Sequence, residues 1–227
     1  SRINWRRFLL VLAKRLLDTF FLPLTMERRD RVLVLDDSAY SRNRSKKVEL
    51  LSKCYDHCDH RHFRGFRMLS LGWSDGRSFL PLAFSLLGSA REEKRFFGAA
   101  DLDGRTSGAR RRKEAMMKTP EAALVLLDAV LSNGMKADFL LFDSWFATNQ
   151  FLHSVHRKGI HSIAMVKDFN SMQFLVGRED GTKKRMKLSG LYGKVNSVFG
   201  KKDILGSVLV EVDNGKNSPE PPLPVKV

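Results

Sequence analysis

Two short segments of this chain, Val34-Leu35-Asp36-Asp37-Ser38 and Leu140-Leu141-Phe142-Asp143-Ser144, share one design: an apolar run that closes on aspartate and then serine. A short apolar run bounded by charge is what a strand covered on both faces requires. The design therefore asks for a sheet buried on both sides, with a carboxylate at the carboxyl end of two of its strands. In open α/β sheets that edge is where ligands sit.

The order of the remaining patterns narrows the fold. Ile3, Phe8, Leu9, Leu12, Leu16, Leu17 and Phe20 recur at helical spacing with Arg6, Arg7, Lys14 and Arg15 between them, so residues 3–22 predict an amphipathic helix that stops before Pro23. A strand follows over Arg31–Asp36. Phe66–Trp73 and Phe79–Leu87 read as two strands joined at Ser74-Asp75-Gly76-Arg77, whose Asp-Gly pair marks a hairpin turn. Residues 88–118 carry many charges and no apolar period, and predict a mobile loop or a frayed helical segment.

Regular structure resumes with Thr119-Pro120-Glu121, read as an N-cap, a first-turn proline and an early acid, leading a helix that ends at Asn133-Gly134. A buried strand over Asp138–Asp143, a helix over about Thr148–Lys158 and a strand over His161–Lys167 complete the alternation. The expected fold class is α/β: an RNase H-like mixed sheet, a three-strand meander and then alternating helices and strands, with the first and fourth strands side by side and parallel. Beyond residue 171, strand-like pieces at Gln173–Val176, Arg185–Leu188 and Asp203–Val212 predict a β-rich insertion, and Ser218–Pro224 predicts a stiff extended tail. The expected organisation is the end of a helical region over 1–30, a catalytic core over 31–170 and the start of the insertion over 171–227.

Charge points to the partner. Lysine and arginine number 40 against 25 acids, a formal net charge of +15, which suits a polyanion. The candidate contacts to DNA are Arg42, Arg44, Lys46 and Lys47 after the first aspartate, Arg110, Arg111, Arg112 and Lys113, the Lys183–Lys187 stretch, and Trp145, whose ring could stack on a base. The longest early apolar stretch, Phe8–Leu12, is too short to cross a bilayer, so no membrane partner is expected. Two cysteines make no disulfide framework, and a reducing cytoplasm is the expected location.

Two carboxylates brought together by neighbouring strands need a cation, and a hard divalent ion such as Mg²⁺ or Mn²⁺ is the usual one. The plainer alternative is that each Asp-Ser pair only caps its own turn. Asp36 and Asp37 must face opposite ways on a strand, so one of them alone can face a shared site. Cys54-Tyr55-Asp56-His57-Cys58-Asp59-His60-Arg61-His62 raises zinc, but the spacing fits no common finger and no second ligand pair follows; a polar approach to the second strand is preferred. Nucleophilic catalysis by Ser38 or Ser144 lacks a neighbouring histidine in sequence.

Several segments in the same order also carry a family resemblance: Val34–Ser38, Arg44–Leu51, Phe66–Asp75, Lys136–Ala147 and Ile163–Lys167. The chain resembles the DDE transposases of bacterial insertion sequences, specifically the insertion-sequence-four type, from Asn4-Trp5-Arg6 to about Val212. The resemblance implies that Asp37, not Asp36, is the first catalytic acid and Asp143 the second, and that both hold a two-metal Mg²⁺ or Mn²⁺ site. It further implies metal-dependent cleavage and strand transfer on double-stranded DNA, at transposon ends and target, by a bacterial, nucleoid-associated protein acting as a homodimer. The family's third acid is a glutamate on a helix after the β-rich insertion, within a Tyr/Arg/Trp signature that this chain does not contain; Glu211 precedes the expected place. The chain is therefore expected to be a fragment short of the third acid, and the rival expectation is an inactive transposase remnant that binds DNA through charge alone. A phosphatase or small nuclease of other specificity would need a complete acid set within the 227 residues.

Overall fold

The computed structural model describes residues 3–25, 29–168, 172–178, 181–192, 195–197, 206–215 and 218–227. It divides into two compact units, Ser1–Leu141 and Phe142–Val227.

The first unit is a mixed sheet with helices on it. Helix α1 (Trp5–Leu16) starts at Asn4, whose side chain accepts the N–H of Arg7, and buries Leu10 and Ala13. It then widens into a π turn over Leu17–Phe21 and tightens over Leu22–Leu24 at Pro23. The α-helix itself closes at Leu16, ahead of the predicted stop before Pro23, and the helical turns run on to Leu24 with Pro23 in the first turn of the last one, where its missing N–H costs nothing.

Strand β1 (Val32–Ser41) runs past the apolar run and carries Asp36 and Asp37 within it. It pairs antiparallel with β3 (Arg61–Ser74) along its whole length, and parallel with β5 (Phe139–Phe142), Val32 lying opposite Phe139 and Val34 opposite Leu141. Gly65 of β3 pairs with Ser41 of β1 on one edge and with Ser52 of β2 (Ser52–Asp56) on the other. The second edge continues as β4 (Phe79–Leu87), antiparallel to β3. One long strand thus carries β1 on one side and β2 followed by β4 on the other. The mixed sheet with helices is compatible with an RNase H-like fold.

Strand β2 corrects the sequence reading of residues 54–62 as a polar approach. The segment is a hairpin with Cys54 opposite Phe63 and Tyr55 opposite His62. Its turn is built by Asp56 Oδ1, which accepts the N–H groups of Cys58 and Asp59, and by His60 at φ 51°.

For residues 88–118, expected as a mobile loop or a frayed helical segment, the structure favours the helical alternative over part of the stretch. They hold helix α2 (Ser107–Glu114), capped by the Thr106 side chain on the N–H of Ala109. Its last residue, Glu114, is buried and bound by Arg6 of α1, Ser85 of β4 and Arg111. This helix has no apolar stripe to read; a buried ion pair across the unit holds it instead.

Helix α3 (Thr119–Ser132) follows, with Lys118 at the cap position and no side-chain cap, so Thr119 is the first helical residue rather than the cap and Pro120 sits in the first turn. Asn133 and Gly134, the latter at φ 77°, end it as expected. Ala122, Ala123, Leu126, Leu127 and Val130 are buried, and the helix packs on β3 and β4.

The Ser74–Ser78 turn joins β3 to β4 as the Asp-Gly pair predicts, with Gly76 at φ 84°. Asp75 Oδ1 accepts the N–H of Ser78 at 2.7 Å and of Arg77 at 3.1 Å, while Oδ2 accepts the Thr25 hydroxyl and the Arg29 guanidinium. These donors, the Ser78 N–H first, hold the Asp75 carboxyl at about 2, below its usual 3.8. A carboxyl whose folded value is depressed stabilises the fold above its unfolded value and loses that contribution as pH falls through the folded one. Asp75→Asn is expected to cost about 1–3 kcal/mol at pH 7, with the gap to the parent closing towards pH 2. Urea unfolding of both proteins at the two pH values checks this, and an equal gap at both would refute it.

The second unit begins with β5's last residue and Asp143. Helix α4 (Asn149–His156) is capped by Thr148 on the N–H of Phe151 and ends ahead of Gly159, at φ 74°. Strand β6 spans His161–Ala164 and packs on α4. Strands β7 (Phe174–Gly177), β8 (Lys183–Met186), β11 (Leu209–Val212) and β12 (Leu223–Lys226) form a four-stranded sheet in the order β12-β11-β7-β8. Between them lie helix α5 (Leu188–Leu191) and the short pair β9 (Asn196–Ser197) and β10 (Gly206–Ser207). The β-rich expectation past residue 171 agrees with these strands, although residues 203–205 lie outside the described ones. The end of the predicted extended tail, Leu223 and Pro224, enters edge strand β12, with Pro224 opposite Glu211. An edge is where a strand tolerates proline, because its missing N–H leaves no ladder bond unmade.

Candidate active site

On β1, burial alternates with the pleat. Leu33 and Leu35 are buried, and Asp37 continues their face with a side chain only 6% exposed, whereas Asp36 on the opposite face is exposed and accepts the Ser38 hydroxyl. Period-two alternation thus separates the two acids as expected, and Asp37 is the one held inside. Its two oxygens are taken by the guanidinium of Arg67 on β3: Nε donates to Oδ2 at 2.8 Å and Nη2 donates to Oδ1.

Arg67 escapes sequence reasoning because it sits in the strand-like Phe66–Trp73 run. The available signal was the one charged residue in the otherwise largely apolar Phe66–Trp73 run. Its register opposite Ala39, two residues beyond Asp37, makes it the diagonal neighbour.

Asp143 follows β5 in the second unit and is exposed. Its Oδ1 accepts the N–H of Trp145 at 3.0 Å, so the aspartate does cap its own turn. A carboxylate with one such bond keeps acceptor capacity for a further ligand. Trp145 is 54% exposed, while Phe146 is buried and packs with Phe142 and Phe151. Of the adjacent aromatic pair, one builds the core of the unit and the other faces outward.

The basic candidates sort in the same way. Arg42, Arg44, Lys46 and Lys47 are all exposed, and Ser41–Ser45 line a shallow polar concavity. Arg42 donates to Ser45 Oγ. On α2, Arg112 closes a fork on Glu49 at 2.6 and 2.9 Å, and Arg111 is bound to Glu114 and to the carbonyl of Phe84. Arg110 and Lys113 remain exposed. The Arg112–Glu49 pair lowers the Glu49 carboxyl below its usual value, chiefly through the Arg112 hydrogen bond. It also joins α2 to the segment after Lys47, so two basic clusters far apart in sequence become neighbours within one unit.

The Cys/His stretch is arranged around Tyr55, whose ring meets His57 at 4.9 Å and His62 at 5.1 Å, both edge-on. Burial pushes the Cys54 thiol up, away from the thiolate that zinc takes. Glu211 pairs with Lys183, and Glu121 lies exposed in the first turn of α3.

Among the described residues no group of three or more His, Cys, Asp or Glu could hold a metal ion. Carboxylate oxygens are the donors that suit a hard divalent ion, with water completing the shell. Asp37 is a nearly buried anion whose two oxygens are already engaged by the Arg67 guanidinium, so a metal at this position has to compete with Arg67.

A mixed α/β sheet with a buried strand carboxylate and neighbouring clusters of arginine and lysine defines a candidate phosphodiester enzyme. The family profile described as DDE superfamily endonuclease matches residues 1–186, and the chain belongs to that family. No curated protein matches the chain. The family acts as nucleases and transposases on DNA and generally uses divalent metals. No helix among the described residues is long and apolar enough to cross a membrane.

Proposed function

We propose that the protein is the catalytic core, centred on residues 31–170, of a DDE transposase of the insertion-sequence-four type that cleaves and transfers DNA strands at transposon ends. The supporting observation is the family match over residues 1–186, with Asp37 on the inner face of the strand that runs parallel to β5. Asp37 lies three residues past Val34, and Asp143 two past Leu141, the last residues paired between those strands.

In this reading Asp37 and Asp143 hold Mg²⁺ or Mn²⁺ through carboxylate oxygens. Divalent ions held there supply an activated water and stabilise the leaving oxygen of a phosphodiester. Arg42, Arg44, Lys46, Lys47, Arg110 and Lys113 hold the DNA backbone by charge, which fixes position and not sequence. Trp145 stacks on a base beside Asp143. The protein works as a homodimer on paired ends.

A second reading, a chain that binds DNA and does not cut it, is favoured by one observation: the described residues supply no group of three acids or other metal donors. Mn²⁺-dependent nicking of a labelled duplex, run beside Asp143→Ala, separates the two. Nicking that disappears in the variant supports the enzyme. No nicking, together with binding that falls steeply between about 50 and 200 mM salt, supports the second reading, and nicking that Asp143→Ala leaves intact removes the site assignment.

A further inference from the structure

We propose that Arg67 is the resident counter-ion of Asp37, a positioning residue that gives up the carboxylate when Asp37 takes a divalent ion and then offers its fork to a DNA phosphate. The proposal rests on the reading of Asp37 as a metal ligand. Both oxygens of Asp37 are engaged by one guanidinium, so in the metal-free protein the carboxylate is held in place and its charge is neutralised. A carboxylate that is only 6% exposed and lacked this partner would be an uncompensated charge in the sheet.

The same contact obstructs a metal. A divalent ion at carboxylate bonding distance would stand within a few ångströms of a guanidinium that cannot shed its proton, and two cations so placed repel strongly. One of them must leave. Arg67 is the mobile partner: it is 30% exposed where Asp37 is 6%, and its long side chain has torsions to spare.

The strand register says where it goes. Arg67 lies opposite Ala39, and the chain leaves β1 at Ser41 into the exposed basic segment of Arg42, Arg44, Lys46 and Lys47. A guanidinium swung off Asp37 at this end of the strand lies beside the residues that hold the DNA backbone. Its planar fork matches phosphate as well as it matches carboxylate. Metal and DNA then bind cooperatively through Arg67, and the coupling is reciprocal.

The experiment measures Mn²⁺ binding to the DNA-free chain from the spin signal of free Mn²⁺, for the parent, Arg67→Gln, Arg67→Lys and Asp37→Asn. Circular dichroism checks each fold, and Arg67→Lys carries the test if Arg67→Gln does not fold. Arg67→Gln is expected to bind Mn²⁺ about tenfold more tightly than the parent, because a competing charge has gone. Arg67→Lys falls between them, since a point charge replaces the fork. Duplex affinity should rise with Mn²⁺ in the parent and lose that rise in Arg67→Gln.

Binding that Asp37→Asn abolishes, but that Arg67→Gln leaves equal to the parent or weaker, overturns the inference and leaves the metal reading standing. Binding indifferent to Asp37→Asn overturns the metal reading and the inference with it.

Discussion

Asp37→Ala should lower Mn²⁺-dependent strand cleavage by about a thousandfold or more in the protein that nicks DNA, with duplex affinity held within about threefold of the parent. The split follows from where the charges lie. Asp37 is held inside the sheet, whereas the six cations assigned to the DNA backbone, Arg42, Arg44, Lys46, Lys47, Arg110 and Lys113, are exposed and stay in place when Asp37 is removed. The substitution leaves Arg67 without its acid, but Arg67 is partly exposed and can hydrate, which limits the damage to the fold. Asp37→Asn is the isosteric control: it keeps an acceptor for Arg67 and loses the charge that holds a metal, so it should fail in cleavage as Asp37→Ala does. Asp36→Ala, on the opposite face of the same strand, should keep cleavage within about threefold. Loss of DNA binding with cleavage intact would reverse the roles given to these residues, and equal losses for Asp36→Ala and Asp37→Ala would remove the face argument.

That distinction between neighbouring acids was legible in the sequence, and the reason is periodicity. A strand alternates with period two whatever packs on it, so Leu33, Leu35 and Asp37 had to share a face once the segment was a strand. Helix α3 was legible for a similar reason: its proline and its Asn-Gly stop are local chemistry, and only the cap slipped by one residue. The Asp-Gly turn before β4 belongs with these.

What stayed hidden depends on partners far away in the chain. Arg67 has no local signal as a partner of Asp37; the pair exists because an antiparallel register sets residues thirty positions apart on one diagonal. Helix α2 reads as no more than a charged loop or a frayed helical segment because its stabilising contact is Arg6, 108 residues earlier. The β2–β3 hairpin was masked by the cysteines and histidines along it, which suggest ligands before they suggest pleat, and Tyr55 sits between His57 and His62 as a packing residue. Of the four basic residues on α2, two proved to be fixed by acids within the unit, which charge counting cannot foresee.

The same buried contact on α2 sets the largest expected change in stability. Glu114→Ala should destabilise the first unit by about 3–5 kcal/mol, lowering its Tm by about 10 °C. Glu114 lies with its side chain 7% exposed against Arg6 at 13%. Arg6 Nη1 donates to Oε2 at 2.7 Å, and Ser85 and Arg111 donate to Oε1. Arg6 and Arg111 both donate to the carbonyl of Phe84 as well. One carboxylate therefore ties α1, β4 and α2 together. Deleting it strands a buried guanidinium, whose cost is larger than the net worth of the pair. Arg6→Met combined with Glu114→Leu removes both charges and keeps apolar volume, so the double variant should regain most of the loss, a recovery that simple removal of contacts would not produce. Thermal unfolding followed by circular dichroism reads all three. A single variant within about 2 °C of the parent would show that the cluster is solvated in solution, and a double variant as unstable as Glu114→Ala would show that the ion pair itself, not the stranded charge, sets the cost.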